Sequence, residues 1–279
     1  MATKPRKHEE DIWFSFSCLR VFVVAFLSSG ALAALATQAP VLSKNDRDIS
    51  RTMLRQIRED LERYYYDPTF HGIDLKARFA EAETRIDKAA NVQRAIRKAR
   101  GYKTLILDLR GNGGGALTAL SALVSTTFDH EVLVAVDRPR GKERPEIAKP
   151  AKNVFLGKLF VLVDSRSASA SEMFARIVQL EKRGAVVGDR TTGAVMAAQF
   201  FPHTVGLGAV AFYAMEVTVA DVRMSDGAGL EKIGVAPDVL ALPSPADLAA
   251  RRDPVLARAV ELAGGSMTPE QAGQLFAAR

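Results

Sequence analysis

The apolar positions along this chain fall into blocks whose spacing switches between a helical and an extended period. Ile49, Met53, Leu54, Ile57 and Leu61 recur every three or four positions with charges opposite, which predicts an amphipathic helix ending at Tyr64-Tyr65-Tyr66-Asp67-Pro68. A second helix is expected from about Asp74 to Ala90, with Leu75, Phe79, Ala82, Ile86 and Ala89 inward. Beyond Asn91-Val92-Gln93 and a basic stretch reaching Lys103, the period shortens. Thr104 to Leu109 and Lys158 to Val163 are short apolar runs of the kind that become strands covered on both faces. Each gives way to a loop of small residues and then to a helical pattern, Ala116 to Phe128 and Ser171 to Lys182. Gly184 to Gly188 reads as a short buried strand, and Val210 to Val219 alternates like a strand. Arg138 to Lys152, rich in proline and charge, reads as an exposed loop, and Pro202-His203 as another. Asp226-Gly227 marks a turn, and Asp253-Pro254 supplies a cap and a first-turn proline for a last helix, Val255 to Leu262. Strands alternating with helices predict an α/β layered fold with several parallel strands.

Composition changes this picture mainly at the N-terminus. Over 279 residues, 48% hydrophobic and 25% charged, the chain is ordinary globular protein of one or two domains. Residues 1–36 stand apart. Lys4, Arg6 and Lys7 make a basic start, Val21 to Ala36 is apolar apart from Ser28 and Ser29, and Ala31-Leu32-Ala33 and Ala34-Leu35-Ala36 are small-x-small cleavage sites. That is the layout of a secretory signal. An uncleaved membrane anchor is the other reading, although the run is shorter than the ~20 residues of a span and Arg20 interrupts its upstream side. The expected organisation is a signal peptide or N-terminal membrane anchor at 1–36, an N-terminal helical subdomain at 45–92, a core at 93–265 and a C-terminal tail at 266–279. Such a protein is exported, to the periplasm or another extracytoplasmic space. Cys18 is the one cysteine and lies in the targeting segment, so a mature form has no disulfide, zinc–cysteine site or thiol nucleophile. The net charge of +6 is scattered and no aromatic interleaving accompanies it, which argues against nucleic acid and leaves membrane contact to the N-terminal segment.

Chemistry collects where strands of an α/β sheet end and helices begin. Leu159 to Glu172, LFVLVDSRSASASE, puts Ser169 at such a junction, where the positive end of a helix favours a developing alkoxide. The competing reading is a capping box, since Ser169-Ala170-Ser171-Glu172 fits S-x-x-E, and the two readings are compatible. Ser165, Ser167 and Ser171 are alternative nucleophiles by type. Leu105 to Gly115, LILDLRGNGGG, presents glycines whose bare N–H groups can form an oxyanion hole or simply make a tight turn. It matches neither G-x-x-x-x-G-K-[ST] nor G-x-G-x-x-G, so a phosphate cradle is not indicated. Asp108 and Arg110 flank this turn and could pair to hold it.

Taken in order, D-L-R-G-N-G-G-G, V-D-S-R-S-A-S-A-S-E, V-V-G-D-R-T-T-G and E-K-I-G-V-A-P-D resemble the C-terminal processing, or tail-specific, peptidases over roughly Tyr102 to Leu242. The resemblance implies a Clp-protease/crotonase-like core of stacked ββα units behind a small helical cap. It implies a serine peptidase with Ser169 as nucleophile, and with the Ala170 amide and the Gly113–Gly114 turn as oxyanion hole. It also implies polypeptide as substrate, including unfolded C-termini, and no metal or cofactor.

The sequence departs from the family pattern in two places. One branch carries a lysine base in T-F-G-K-G; here the stretch is Thr191-Thr192-Gly193-Ala194-Val195, and an alanine at 194 cannot take a proton. The tricorn-like and retinol-binding-protein-like branch, which the chain resembles more closely, uses a histidine supported by a glutamate. Glu231 matches that glutamate, with a surface carboxylate beside Lys232 as its plainer reading, but the segment that carries the histidine and the PDZ domain is missing between the helices and the core. His203 and His130 are the remaining candidates for a base; His71 reads as a surface residue and His8 falls in the targeting segment. Two further readings stay open. One is a catalytically inactive relative that binds peptide or an apolar ligand, favoured by the missing base. The other is an acyl-CoA enzyme of the crotonase fold, disfavoured by the ordered peptidase motifs.

Overall fold

A computed structural model describes residues 23–26, 32–35, 44–88, 99–140, 142–206 and 211–275. Most of residues 1–36 (expected to be a targeting segment), the basic stretch at 89–98 and the last four residues lie outside the described residues. Two short strands, β1 (Val23–Phe26) and β2 (Leu32–Leu35), fall within the apolar run Val21 to Ala36. Helices α1 (Lys44–Tyr64) and α2 (Leu75–Lys88) pack on one another, with Phe79 buried.

The core is built on a six-stranded sheet of order β10-β7-β6-β3-β1-β2, with β3 Thr104–Asp108, β6 Lys158–Val163, β7 Gly184–Gly188 and β10 Val239–Leu240. Strands β3, β6, β7 and β10 run parallel, whereas β1 lies antiparallel to both β3 and β2. On one face Leu105, Leu107, Val161 and Val186 pack against α3 (Leu117–Thr127) and α4 (Ala170–Leu180), through Leu123, Phe174 and Ile177. On the other, Ile106, Phe160, Leu162 and Val187 pack against α6 (Pro254–Leu262), through Val255, Leu256 and Val260. Helices on both faces explain the unbroken apolar runs of β3 and β6, since neither face meets water. Two short helices complete the C-terminal part, α5 (Pro245–Ala249) and α7 (Pro269–Gln274). The latter lies within the stretch read as a tail, where a six-residue helix is too short to leave a periodic signal.

A second, antiparallel sheet of order β5-β4-β9-β8 lies beside the first. Its strands are β4 Val132–Pro139, β5 Arg144–Ala148, β8 Ala197–Val205 and β9 Ala211–Arg223. Two expectations are corrected here. Arg138 to Lys152 is not a plain loop but contains the end of β4 and all of β5, and Pro202-His203 lies inside β8 rather than in a loop. Both β5 and β8 are edge strands, where proline and charge are tolerated because one side of the ladder is unpaired. Along β8 and the first part of β9 both faces are open to solvent, with Phe200 65% and Phe212 80% exposed.

His130, just before β4, bridges Asp129 Oδ1 at 3.0 Å and Glu181 Oε2 at 3.3 Å. The bonds to Asp129, then to Glu181, raise its pKa above the usual histidine value. A raised folded-state pKa stabilises the protein fully below the unfolded value of about 6.5 and stops doing so as pH climbs through the folded value. His130→Asn should therefore unfold more easily than wild type near pH ~5.5 and equally at pH ~8.5. Half-exposed pairs of this kind contribute about 0.2–1 kcal/mol, so urea titrations at the two pH values read the difference.

Candidate active site

Between the end of β6 and the start of α4, residues Asp164 to Ser169 form a loop stitched directly onto the glycine turn after β3. The Gly111 N–H donates to Asp164 Oδ1 at 2.8 Å, the Ser167 hydroxyl to the Leu109 carbonyl at 2.8 Å, and the Ala168 N–H to the Asn112 carbonyl at 2.9 Å. Gly114 then sits directly against the serine. A Cβ on it would come within 2.5 Å of Ser169 Cβ and 2.9 Å of the Ala168 carbonyl, and its φ of +103° is one that side chains rarely adopt. Two loops far apart in sequence thus close on one point because a residue without a side chain lets them.

Ser169 precedes the first turn of α4 with φ 54° and ψ −121°. For a residue with a side chain this is strained backbone, costing on the order of 1–3 kcal/mol, and it is the sort of turn that lifts a serine out of a strand-to-helix junction. Its N–H is shared between the Ala194 carbonyl and Glu172 Oε2, each at 3.0 Å. A capping box closes the helix start, with the Glu172 side chain reaching back to the Ser169 N–H. Ser169 stands at the positive end of the helix, part-exposed.

Around that serine the N–H groups divide. Those of Gly113, which is exposed, and Ala170, at the first position of α4, have no hydrogen-bond partner among the described residues. The Gly114 N–H, by contrast, is taken by Asn112 Oδ1 at 2.9 Å. Gly114 supplies close approach in this arrangement, and Gly113 and Ala170 supply the open donors.

The stretch Thr191 to Met196 passes along the opposite side of the serine. Gly193, with φ +77°, packs so tightly against Ile233 and Gly234 that a Cβ would lie 2.9 Å from the Ile233 nitrogen. Ala194 accepts from the Ser169 N–H and is exposed, so the position expected from the family pattern to hold a lysine lies beside Ser169. Glu231, half-buried, accepts from Val195 N at 2.8 Å and Met196 N at 3.2 Å, which holds the root of β8 in place. The two remaining histidine candidates are elsewhere. His130 bonds Glu181 at the far end of α4, an 11-residue helix about 16 Å long. His203 stacks on Tyr213 at 5.2 Å along the open ribbon, six residues or about 20 Å beyond the root of β8.

Two groups of residues went unassigned in the sequence. Asp164, following directly on β6, organises the serine loop. Glu172, read there only as a cap, is fully buried and accepts from four donors. The pairing of Asp108 with Arg110 extends further than expected, to Asp253 at the start of α6: Arg110 donates to Asp108 Oδ2 at 2.6 Å and to Asp253 Oδ2 at 2.7 Å. Burial alone would lower the Arg110 pKa, but the two carboxylates outweigh it and push it well above the usual arginine value. A cavity of about 610 Å³ opens beside this group, lined by Asp164, Arg166, Asp189 and Arg251 among others, but not by Ser169.

Because Gly114 touches the serine itself, Gly114→Ala should cost more in reactivity than in stability. We expect at least about a 10²-fold loss in the rate of modification of Ser169 by a fluorophosphonate, comparable with losing an oxyanion donor. Gly113→Ala, where a Cβ meets open space, is the control.

A largely parallel sheet covered by helices on both faces, with a strained serine facing a glycine turn at the strand ends, defines a mixed α/β protein. The chain belongs to Peptidase family S41, whose model matches residues 74–241, well over half of its length. Among curated relatives, a putative tricorn protease homolog 2 from Streptomyces coelicolor is 33% identical over 177 residues, covering 62% of this chain and 14% of that protein. A tail-specific protease from Haemophilus influenzae is 32% identical over 139 residues, covering 49% of this chain and 20% of its own length. This chain therefore spans a fifth or less of these two relatives. A solved structure of a putative peptidase from Parabacteroides merdae has a TM-score of 0.50 at 21% identity, covering 62% of this chain and 57% of that one, which speaks to the fold.

Proposed function

We propose that this chain is an exported serine-type peptidase acting on polypeptide, with Ser169 as nucleophile. The observation that carries the reading is the strained Ser169 turn held against Gly114 at the head of α4. Ser169 Oγ attacks the scissile carbonyl carbon, and the carbonyl electrons move onto oxygen. The Gly113 and Ala170 amides hold that oxyanion in place of the ground-state carbonyl. Collapse expels the amine with a proton and leaves an acyl-serine, which water then hydrolyses. Glu231 fixes the segment that borders the nucleophile and so supports whichever group takes the serine proton. The substrate is an extended polypeptide such as an unfolded C-terminus. Residues 1–36 direct the chain out of the cytoplasm; if they are removed, the edge of β3 that now pairs with β1 is freed. Among the described residues no helix is long and apolar enough to cross a membrane.

A second reading, a binding protein that has lost catalysis, is favoured by one observation: Ala194 stands where a base would. Incubation with an unfolded polypeptide separates the two. The peptidase reading expects slow cleavage that disappears in Ser169→Ala. Binding without any cleavage, equal in both proteins, would leave the binder.

A further inference from the structure

Glu172 does more than a helix cap requires. A cap can sit in water, yet this carboxylate is fully buried with no cation among its hydrogen-bond partners. Burying an ion is expensive unless every lone pair is used. Here Oε1 accepts from the Thr191 hydroxyl at 2.6 Å and from Gly193 N at 2.7 Å, while Oε2 accepts from Ser169 N at 3.0 Å and Ala194 N at 2.9 Å. Three of the four donors belong to the 191–194 loop rather than to the helix. Thr191 passes the link on, its oxygen accepting from Val235 N at 2.7 Å.

We infer that Glu172 is a positioning residue for the reaction: its carboxylate clamps the strained Ser169 turn to the Thr191–Ala194 loop and so sets where residue 194 meets the nucleophile. This rests on the reading of Ser169 as nucleophile given above. The clamp has two consequences. It occupies the Ser169 N–H, leaving the Ala170 N–H as the open donor at the head of α4. It also holds the Ala194 carbonyl on the Ser169 amide at 3.0 Å, so the two backbones keep one spacing whatever side chain stands at 194.

Glu172→Gln is a stringent test, because each carboxylate oxygen faces two donors. Whichever way the amide turns, its NH₂ group points at two of them. Amide hydrogen exchange by NMR reads the clamp without reference to activity. We expect Ser169, Gly193 and Ala194 to exchange at least ~30-fold faster in Glu172→Gln, while Leu107 and Val161 in the central strands keep their protection. Thr191→Val, which removes one donor, should give a smaller effect at the same amides, and Thr191→Ser should restore it. In parallel, the limiting rate of fluorophosphonate modification should fall by ~10² with the probe's half-saturating concentration unchanged, since positioning acts on the transition state. Unchanged exchange at the three amides would overturn the inference. So would loss of protection in the central strands along with them, which marks a general weakening of the fold. If wild type takes no probe at all, the nucleophile reading falls, and the exchange data alone decide on the clamp.

Discussion

Replacing Ala194 with lysine should raise the rate at which Ser169 is acylated by about 10²–10⁴-fold, the range a positioned general base contributes. The backbone at 194 is already held beside Ser169. Its carbonyl receives the Ser169 N–H and its own N–H is held by Glu172, so the new side chain starts from a fixed point beside the hydroxyl. The position is exposed, which leaves room for the three added carbons and the amine without disturbing the core. Lysine becomes a base when its surroundings lower its pKa, and the rate should rise with pH as the amine loses its proton. Single-turnover acylation with an activated ester, followed over pH, measures both. An increase that vanishes in the Ala194→Lys, Ser169→Ala double variant places the gain at this serine. No increase, in a variant that folds as wild type does, means that the side chain at 194 does not reach the hydroxyl.

The second large effect concerns stability. Arg110→Ala leaves Asp108 and Asp253, both largely buried, without their shared cation, and breaking a buried pair from one side costs about 3–5 kcal/mol. The loss should appear in the urea midpoint. It should also reach the site, because Arg110 begins the loop that carries Gly113 and Gly114, and Asp253 caps α6 by accepting from Leu256 N at 2.9 Å. Removing all three charges together, as Asp108→Asn, Arg110→Met and Asp253→Asn, should recover much of the stability. If Arg110→Ala alone melts like wild type, the group is not the anchor of the glycine loop that its hydrogen bonds suggest.

How much of this was visible in the sequence depends on what each residue faces. Strands β3, β6 and β7 were legible because helices cover both their faces, so their central positions are apolar. Helix α4 was legible because Met173, Phe174, Ile177 and Val178 repeat at helical spacing. Strands β5 and β8 were not, since an edge strand open to water keeps the prolines and charges of a loop. Of the site, the serine loop and the glycine turn stood out because small residues after a buried strand are a local signal, and the resemblance to tail-specific peptidases then singled out Ser169, Ala170 and Gly113–Gly114 within them. The rest depends on contacts that sequence order hides. Glu172 looks like a cap until the 191–194 loop folds back over it. Asp253 meets Arg110 across 143 positions, with no motif to announce it. That the Gly114 N–H is committed to Asn112, leaving Gly113 as the open donor of the turn, follows only from the conformation of the turn.

The most direct test of the account is to treat the folded protein with a fluorophosphonate and locate the adduct by peptide mass mapping. The account predicts a single phosphonylated residue, Ser169, and no adduct on Ser165, Ser167 or Ser171. An adduct on one of those three, or none after exhaustive exposure of folded protein, would contradict it.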